Sequence, residues 1–124
     1  MGNPTLTKNA KAEAAVPAFT IVKFGAADGQ VLPAAAVTDK LVGVSTDIAA
    51  AINERCDFIV DGIADVLYGG TVTRGDPLTS DASGRATTAA PGAGTNNRII
   101  GIAMVSGVVG DIGSVKMSQG MVQG

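Results

Sequence analysis

The chain has 124 residues, of which 46% are apolar and 16% charged, with a net charge of −2 and no histidine. That is the length of one domain; its basic residues are scattered rather than gathered into a nucleic-acid footprint, and it lacks the commonest general base and neutral nitrogen metal ligand. Three Phe, one Tyr and no Trp leave a thin core of Ala, Val and Ile, so contacts with other subunits are expected to supply part of the stability.

Residues 1–16 are polar and Ala-rich, with Lys8, Lys11 and Glu13 and no apolar period, which predicts an extended N-terminal arm without a fold of its own. Pro17 punctuates the entry into a first strand, Phe19 to Phe24, rich in β-branched and aromatic residues. Asp28-Gly29 turns the chain, Gln30 to Leu32 returns, and Pro33 to Asp39 is a loop. Leu41 to Thr46 is the next strand. Ile48 to Ile52 has helical propensity, but Asp47 to Arg55 is too short for a stable helix between strand-like flanks and is read as a loop with one helical turn at most. Cys56 to Val60 and Ile63 to Tyr68 are strands around Asp61-Gly62. Alternation sets Phe58 and Val60 on one face and Ile59 on the other, so Ile59 needs a cover of its own or an edge position.

Gly69-Gly70 reverses the chain, Arg74 to Leu78 carries Gly75-Asp76 turn chemistry into a strand, and Asp81 to Gly84 is a turn before a short strand from Arg85 to Thr88. Ala89 to Asn97 is a loop of small residues. Arg98 to Met117 is a closing hairpin: two apolar runs, Ile99 to Val105 and Ile112 to Met117, joined by a segment containing Gly107, Gly110 and Asp111. The chain therefore divides into the arm (1–16), a β domain (17–118) and a C-terminal tail (119–124). Eight or nine short strands at turn spacings near ten residues give an all-β compact barrel or sandwich.

A faint internal copy lies under this pattern. At a shift of 58 residues, Lys40-Leu41-Val42-Gly43-Val44-Ser45 falls on Arg98-Ile99-Ile100-Gly101-Ile102-Ala103, Gly62 on Gly120 and Pro33 on Pro91. The turns at Asp28-Gly29 and Ser83-Gly84 match if the second copy's loop is about three residues longer, which reads as a decayed duplication.

No residue set carries chemistry. A Ser-His-Asp or Cys-His arrangement is impossible without histidine, and no nucleophile-elbow or phosphate-loop motif occurs. Cys56, the one cysteine, sits in an apolar run and reads as a small buried hydrophobe; it fits synthesis in a reducing cytoplasm. Asp57, Asp61 and Asp65 share one strand face, the pattern of an outward polar edge more than of an acid-base pair or calcium site. Arg74-Gly75-Asp76 spells a cell-adhesion tripeptide but is ordinary turn chemistry. Gly92 to Asn97 has no helix after it to offer amides to phosphate. No cofactor, metal, nucleic acid or membrane partner is expected, and neither a signal peptide nor a membrane-spanning run is seen.

The succession Val42-Gly43-Val44, Asp57 to Gly62, Gly69-Gly70, Gly75-Asp76-Pro77-Leu78, Ser83-Gly84-Arg85-Ala86, Ile100-Gly101-Ile102-Ala103, Gly110-Asp111 and Val115-Lys116-Met117 resembles the capsid cement, or head decoration, proteins of tailed bacteriophages. The likeness covers roughly Phe19 to Ser118; the Asp47 to Arg55 segment departs from it, since a glycine is usual near Asn53. The resemblance implies a small β-barrel or β-clip-like domain that docks on the outside of an expanded phage head and bridges major capsid subunits against the pressure of packaged DNA. It implies a homotrimer on the virion surface and no catalytic residues. The arm residues Thr5, Leu6, Lys8, Lys11 and Val16 are then candidate capsid contacts, by strand addition to a neighbouring subunit, and Gly75, Asp76, Gly110 and Asp111 candidate turn residues. Two alternatives stand beside this: a trimeric β-clip enzyme that hydrolyses dUTP, whose nucleotide motifs are missing, and an adhesion or carbohydrate-binding module, for which one Tyr offers few flat faces.

Overall fold

The computed structural model describes residues 2–124. They form nine strands in one sheet and no helix: β1 (Asn3–Ala12), β2 (Ile21–Phe24), β3 (Gln30–Pro33), β4 (Leu41–Ser45), β5 (Arg55–Leu67), β6 (Pro77–Ser80), β7 (Ala86–Thr88), β8 (Asn96–Ala103) and β9 (Ile112–Gln123). The all-β reading holds, and the Ile48–Ile52 stretch is a loop. The two strands expected around Asp61-Gly62 are one strand of 13 residues, β5. Gly62 stays within it at φ +90° because a Cβ there would meet Thr5 N at 2.6 Å and Asn3 O at 2.7 Å. A register shift in the β1 partner, between Pro4 and Leu6, takes up the irregularity.

The pairings close on themselves twice. In the first ring β1 pairs β3 in parallel and β5 antiparallel, β2 pairs both β3 and β4, and β4 returns to β5. In the second, Tyr68 at the end of β5 bridges Ala86 of β7 in parallel, β6 pairs β7 and β8, β8 pairs β9, and β9 returns to β5. The two rings have the same connectivity, and β5 ends one and begins the other.

Equivalence extends to single residues. The isolated bridge Val16↔Ala50 has its copy in Val72↔Gly107. The left-handed residues Phe19, Gly29 and Asn53 have their copies in Gly75, Gly84 and Gly110. Gly43 and Gly101 both lie against the carbonyl of the next strand, that of Ile59 and that of Lys116. The duplication is therefore real, with an offset that drifts between 55 and 58 residues as loop lengths change. Two of the sequence matches are not structural: Pro33 pairs Val22 as Thr88 pairs Leu78, so Thr88 and not Pro91 is its counterpart. Gly62, likewise, corresponds to Gln119 at the 57-residue offset that relates β5 to β9.

Each repeat is a curved layer with two faces. In the first, Val22, Val31, Phe58, Ala12, Val16, Ala50 and Cys56 form a small core on the cupped face, with Ala10, Val42 and Val60 packed against it. The opposite face carries Ile21, Ala34, Leu41, Val44 and Ile59, and these join the main core with Tyr68, Val72, Leu78, Ala86, Ile100, Val115 and Met117 of the second repeat. Thus the stacking face of the first repeat covers the cupped face of the second. Ile59, at 8% exposed, has the separate cover that strand alternation demanded.

The segment expected as an arm is extended, and within this chain Asn3–Ala12 lies along its own β5. Residues Gly2 to Asn9 are exposed, so backbone pairing more than burial holds them, while Ala12 and Val16 are 0% and 1% exposed. Residues 119–124, expected as a tail, continue β9 as far as Gln123, paired to β8.

Candidate interaction surface

The most exposed apolar side chains gather on the loops that follow β4 and β8. Ile48 and Ile52 are 69% and 60% exposed on the first; on the second, Met104, Val105, Val108 and Val109 are 46%, 43%, 54% and 59% exposed, with Ile112 beside them at 54%. These loops are equivalent in the two repeats, and so is their construction. Asn53 N–H donates to Ala12 O and Ala51 N–H to the Glu54 carboxylate; at the same places Gly110 N–H donates to Tyr68 O and Val108 N–H to the Asp111 carboxylate. An acidic side chain thus ties each loop into a tight turn and holds its apolar residues outward. At the place that Gly110 holds in the other repeat, Asn53 takes φ +69°, the left-handed region asparagine tolerates best after glycine.

Tyr68 fixes the second loop. It is fully buried, its hydroxyl donates to Val105 O at 2.7 Å, and its ring fills the space beside Gly107 and Gly113, where no Cβ would fit. Burial first, and then the charge of Asp111, push its phenol above the ordinary value. The two loops lie at opposite ends of β5, since one adjoins Arg55 and the other adjoins Ile112, the partner of Leu67. Twelve steps of strand separate those ends by roughly 40 Å.

The residues predicted as contacts sort by burial. Thr5, Leu6, Lys8 and Lys11 are exposed along β1, with Leu6 48% open, whereas Val16 is a core residue bridged to Ala50. Gly75, at φ +94°, and Asp76 form a turn in which the Asp76 carboxylate accepts from Thr73 N and Thr88 Oγ1, both at 3.0 Å. That carboxylate is engaged inside its own turn rather than presented for a receptor. Arg74 N–H donates to Ser106 Oγ, joining this turn to the loop after β8. Gly110 and Asp111 are the turn of that loop. The sequence reading missed the loop apolar residues themselves, whose signal was a run of Val and Ile in segments already assigned to turns.

Among the described residues no three of His, Cys, Asp and Glu come together as a group that could hold a metal, Asp57, Asp61 and Asp65 included. Cys56 is buried, and burial, with Asp57 adding to it, pushes its thiol up, away from the thiolate a nucleophile needs. No helix among the described residues is long and apolar enough to cross a membrane.

Comparison with known proteins agrees with this geometry. A search of curated protein sequences returns no match. Among solved structures, the N base of the head fibre gp8.5 of bacteriophage phi29 superposes with a TM-score of 0.70, covering 96% of this chain and 98% of that one at 17% identity, a likeness of fold. The model of the phage cement protein family matches residues 1–117. The chain therefore belongs to the phage cement proteins and is a capsid-associated structural protein of the virion.

Proposed function

We propose that this protein binds the outer surface of the expanded phage head and bridges neighbouring major capsid subunits, resisting the pressure of packaged DNA, as a homotrimer at local three-fold positions. The observation that carries the bridging role is the placement of two equivalent apolar loops at opposite ends of one strand. A molecule with one such loop can only decorate. With two, roughly 40 Å apart, it spans a joint. Of the exposed side chains along β1, Thr5, Leu6 and Lys11 add a third contact, while Lys8 lines an apolar pocket on the cupped face. No partner strand lies along the outer edge of residues 3–10 among the described residues, so a capsid segment can be added there by backbone pairing. Many such contacts on a closed shell act together by avidity. No step of this account uses a reacting group, in keeping with a structural family.

The test is to mix purified protein with expanded, undecorated heads and with heads plus the Val108→Asp/Val109→Asp variant. Saturable co-sedimentation of the wild type, weakened at least tenfold by the loop variant at unchanged melting temperature, supports the reading. Equal binding of both removes the loop from it. Residues of β1 are replaced and not deleted, since removing residues 2–16 takes Ala12 and Val16 out of the core; replacing the exposed Leu6 and Lys11 leaves both in place.

A further inference from the structure

The two repeats are stacked head to tail, and one half of that stacking is left open at each end of the molecule. The first repeat's cupped face ends in an apolar pocket of about 310 Å³ lined by Lys8, Ala10, Phe24, Val31, Val42, Phe58 and Val60 among others. Phe24 stands at it 59% exposed. The equivalent positions in the second repeat are Ala64, Val66, Ser80, Ala86, Ile100, Val115 and Met117, and each is 2% exposed or less. They are closed by the stacking face of the first repeat, through Ile21, Leu41, Val44 and Ile59. The second repeat's own stacking face carries Pro77, Ile102 and Lys116, and nothing covers it fully: the first two are half-buried and Lys116 is exposed. One chain thus carries an unfilled socket and, on its other repeat, an unused plug of the kind that fills such a socket internally.

We infer that the Phe24 pocket receives the face around Pro77 and Ile102 of a second copy of this chain, repeating between molecules the stacking seen within one. The occupant follows from the intramolecular interface, whose strand layout the open faces repeat, with Lys8 and Phe24 standing where the closed socket has Ala64 and Ser80. The polar groups agree. Inside the chain Ile21 N–H donates to Gly84 O at 2.8 Å across the stacked faces. Pro77, the counterpart of Ile21, has no N–H to place, and Gly29 O, the counterpart of Gly84 O, already accepts from Lys11 N–H at 2.8 Å. Docking of copies therefore leaves neither group unsatisfied. Lys116 replaces Ile59 and lays its stem along the contact with its ammonium at the rim. The contact is heterologous, so it closes into a ring or runs on as a filament; a closed trimer would hold six stacked repeats. The inference deepens the self-association proposed above and does not depend on shell binding.

Sedimentation of purified protein tests it. Phe24→Glu spoils the socket and Ile102→Glu the plug, so each variant is expected to sediment as a monomer where the wild type is a multimer. An equimolar mixture of the two is expected to form a one-to-one dimer, since one variant retains its plug and the other its socket. Circular dichroism checks the fold; if Ile102→Glu disturbs the sheet, Lys116→Asp at the exposed part of the same face replaces it. A monomeric wild type, a variant of unchanged mass, or a mixture that stays monomeric overturns the inference. A monomer that still decorates heads defeats this interface alone, whereas a multimer that ignores heads defeats the shell-binding reading alone.

Discussion

Tyr68 and a few left-handed positions decide much of the local geometry. Because the buried Tyr68 phenol is held above the ordinary value near 10, its contribution to stability is complete below that pH and is lost as pH rises through the folded value. Denaturant titrations across the alkaline range are expected to show the wild type losing stability in that window and Tyr68→Phe losing less. At neutral pH the Phe variant costs about 1 kcal/mol, the hydroxyl's bond to Val105 O. Asn53, at φ +69°, stands where the other repeat has Gly110. Asn53→Gly is expected to be near neutral, and Asn53→Val to cost about 1–3 kcal/mol in chemical denaturation. Gly101→Ala is expected to cost a similar amount, because a Cβ there would press on Lys116 C and Val115 Cγ2, both at 2.9 Å; an unchanged unfolding midpoint would deny that close approach.

The elements were unequally legible in the sequence. Strands with a buried face, such as β4 and the β8–β9 hairpin, announced themselves through Val and Ile flanked by glycine turns. β1 did not, because both of its faces are exposed from Asn3 to Asn9 and it has no apolar alternation to read; backbone pairing with β5 makes it a strand. Gly62 divided β5 on paper, since a glycine between apolar runs looks like a turn, yet a partner that shifts register with it keeps the strand whole. The duplication was visible where loops kept their length, at Gly43 and Gly101, and blurred where three extra residues lie between β7 and β8. The stacking of one repeat on the other left one trace in sequence, Ile59 on the wrong side of its strand. The apolar loops were hidden because Val108 and Val109 are common in hairpins, and only their exposure marks them. At this scale the account predicts that Leu6→Glu with Lys11→Glu lowers head occupancy with no change in circular dichroism; full occupancy would remove β1 from the contact surface.

At the scale of the whole molecule, an apolar pocket open beside Phe24 leaves surface that a second copy can cover. If copies stack through that socket, the melting temperature rises with protein concentration, as mass action requires for a folded oligomer; calorimetry over a wide concentration range reads this, and a constant value contradicts it. Family membership makes the protein a capsid-associated component of the virion, and the bridging proposed above rests on the paired loops. The most direct measurement is cryo-microscopy of expanded, undecorated heads mixed with saturating purified protein. The account predicts added density on the outer surface, at fixed lattice positions, with the loops at Ile48 and Val108 touching different capsid subunits. Bare heads, or density whose two ends rest on one subunit, would contradict it.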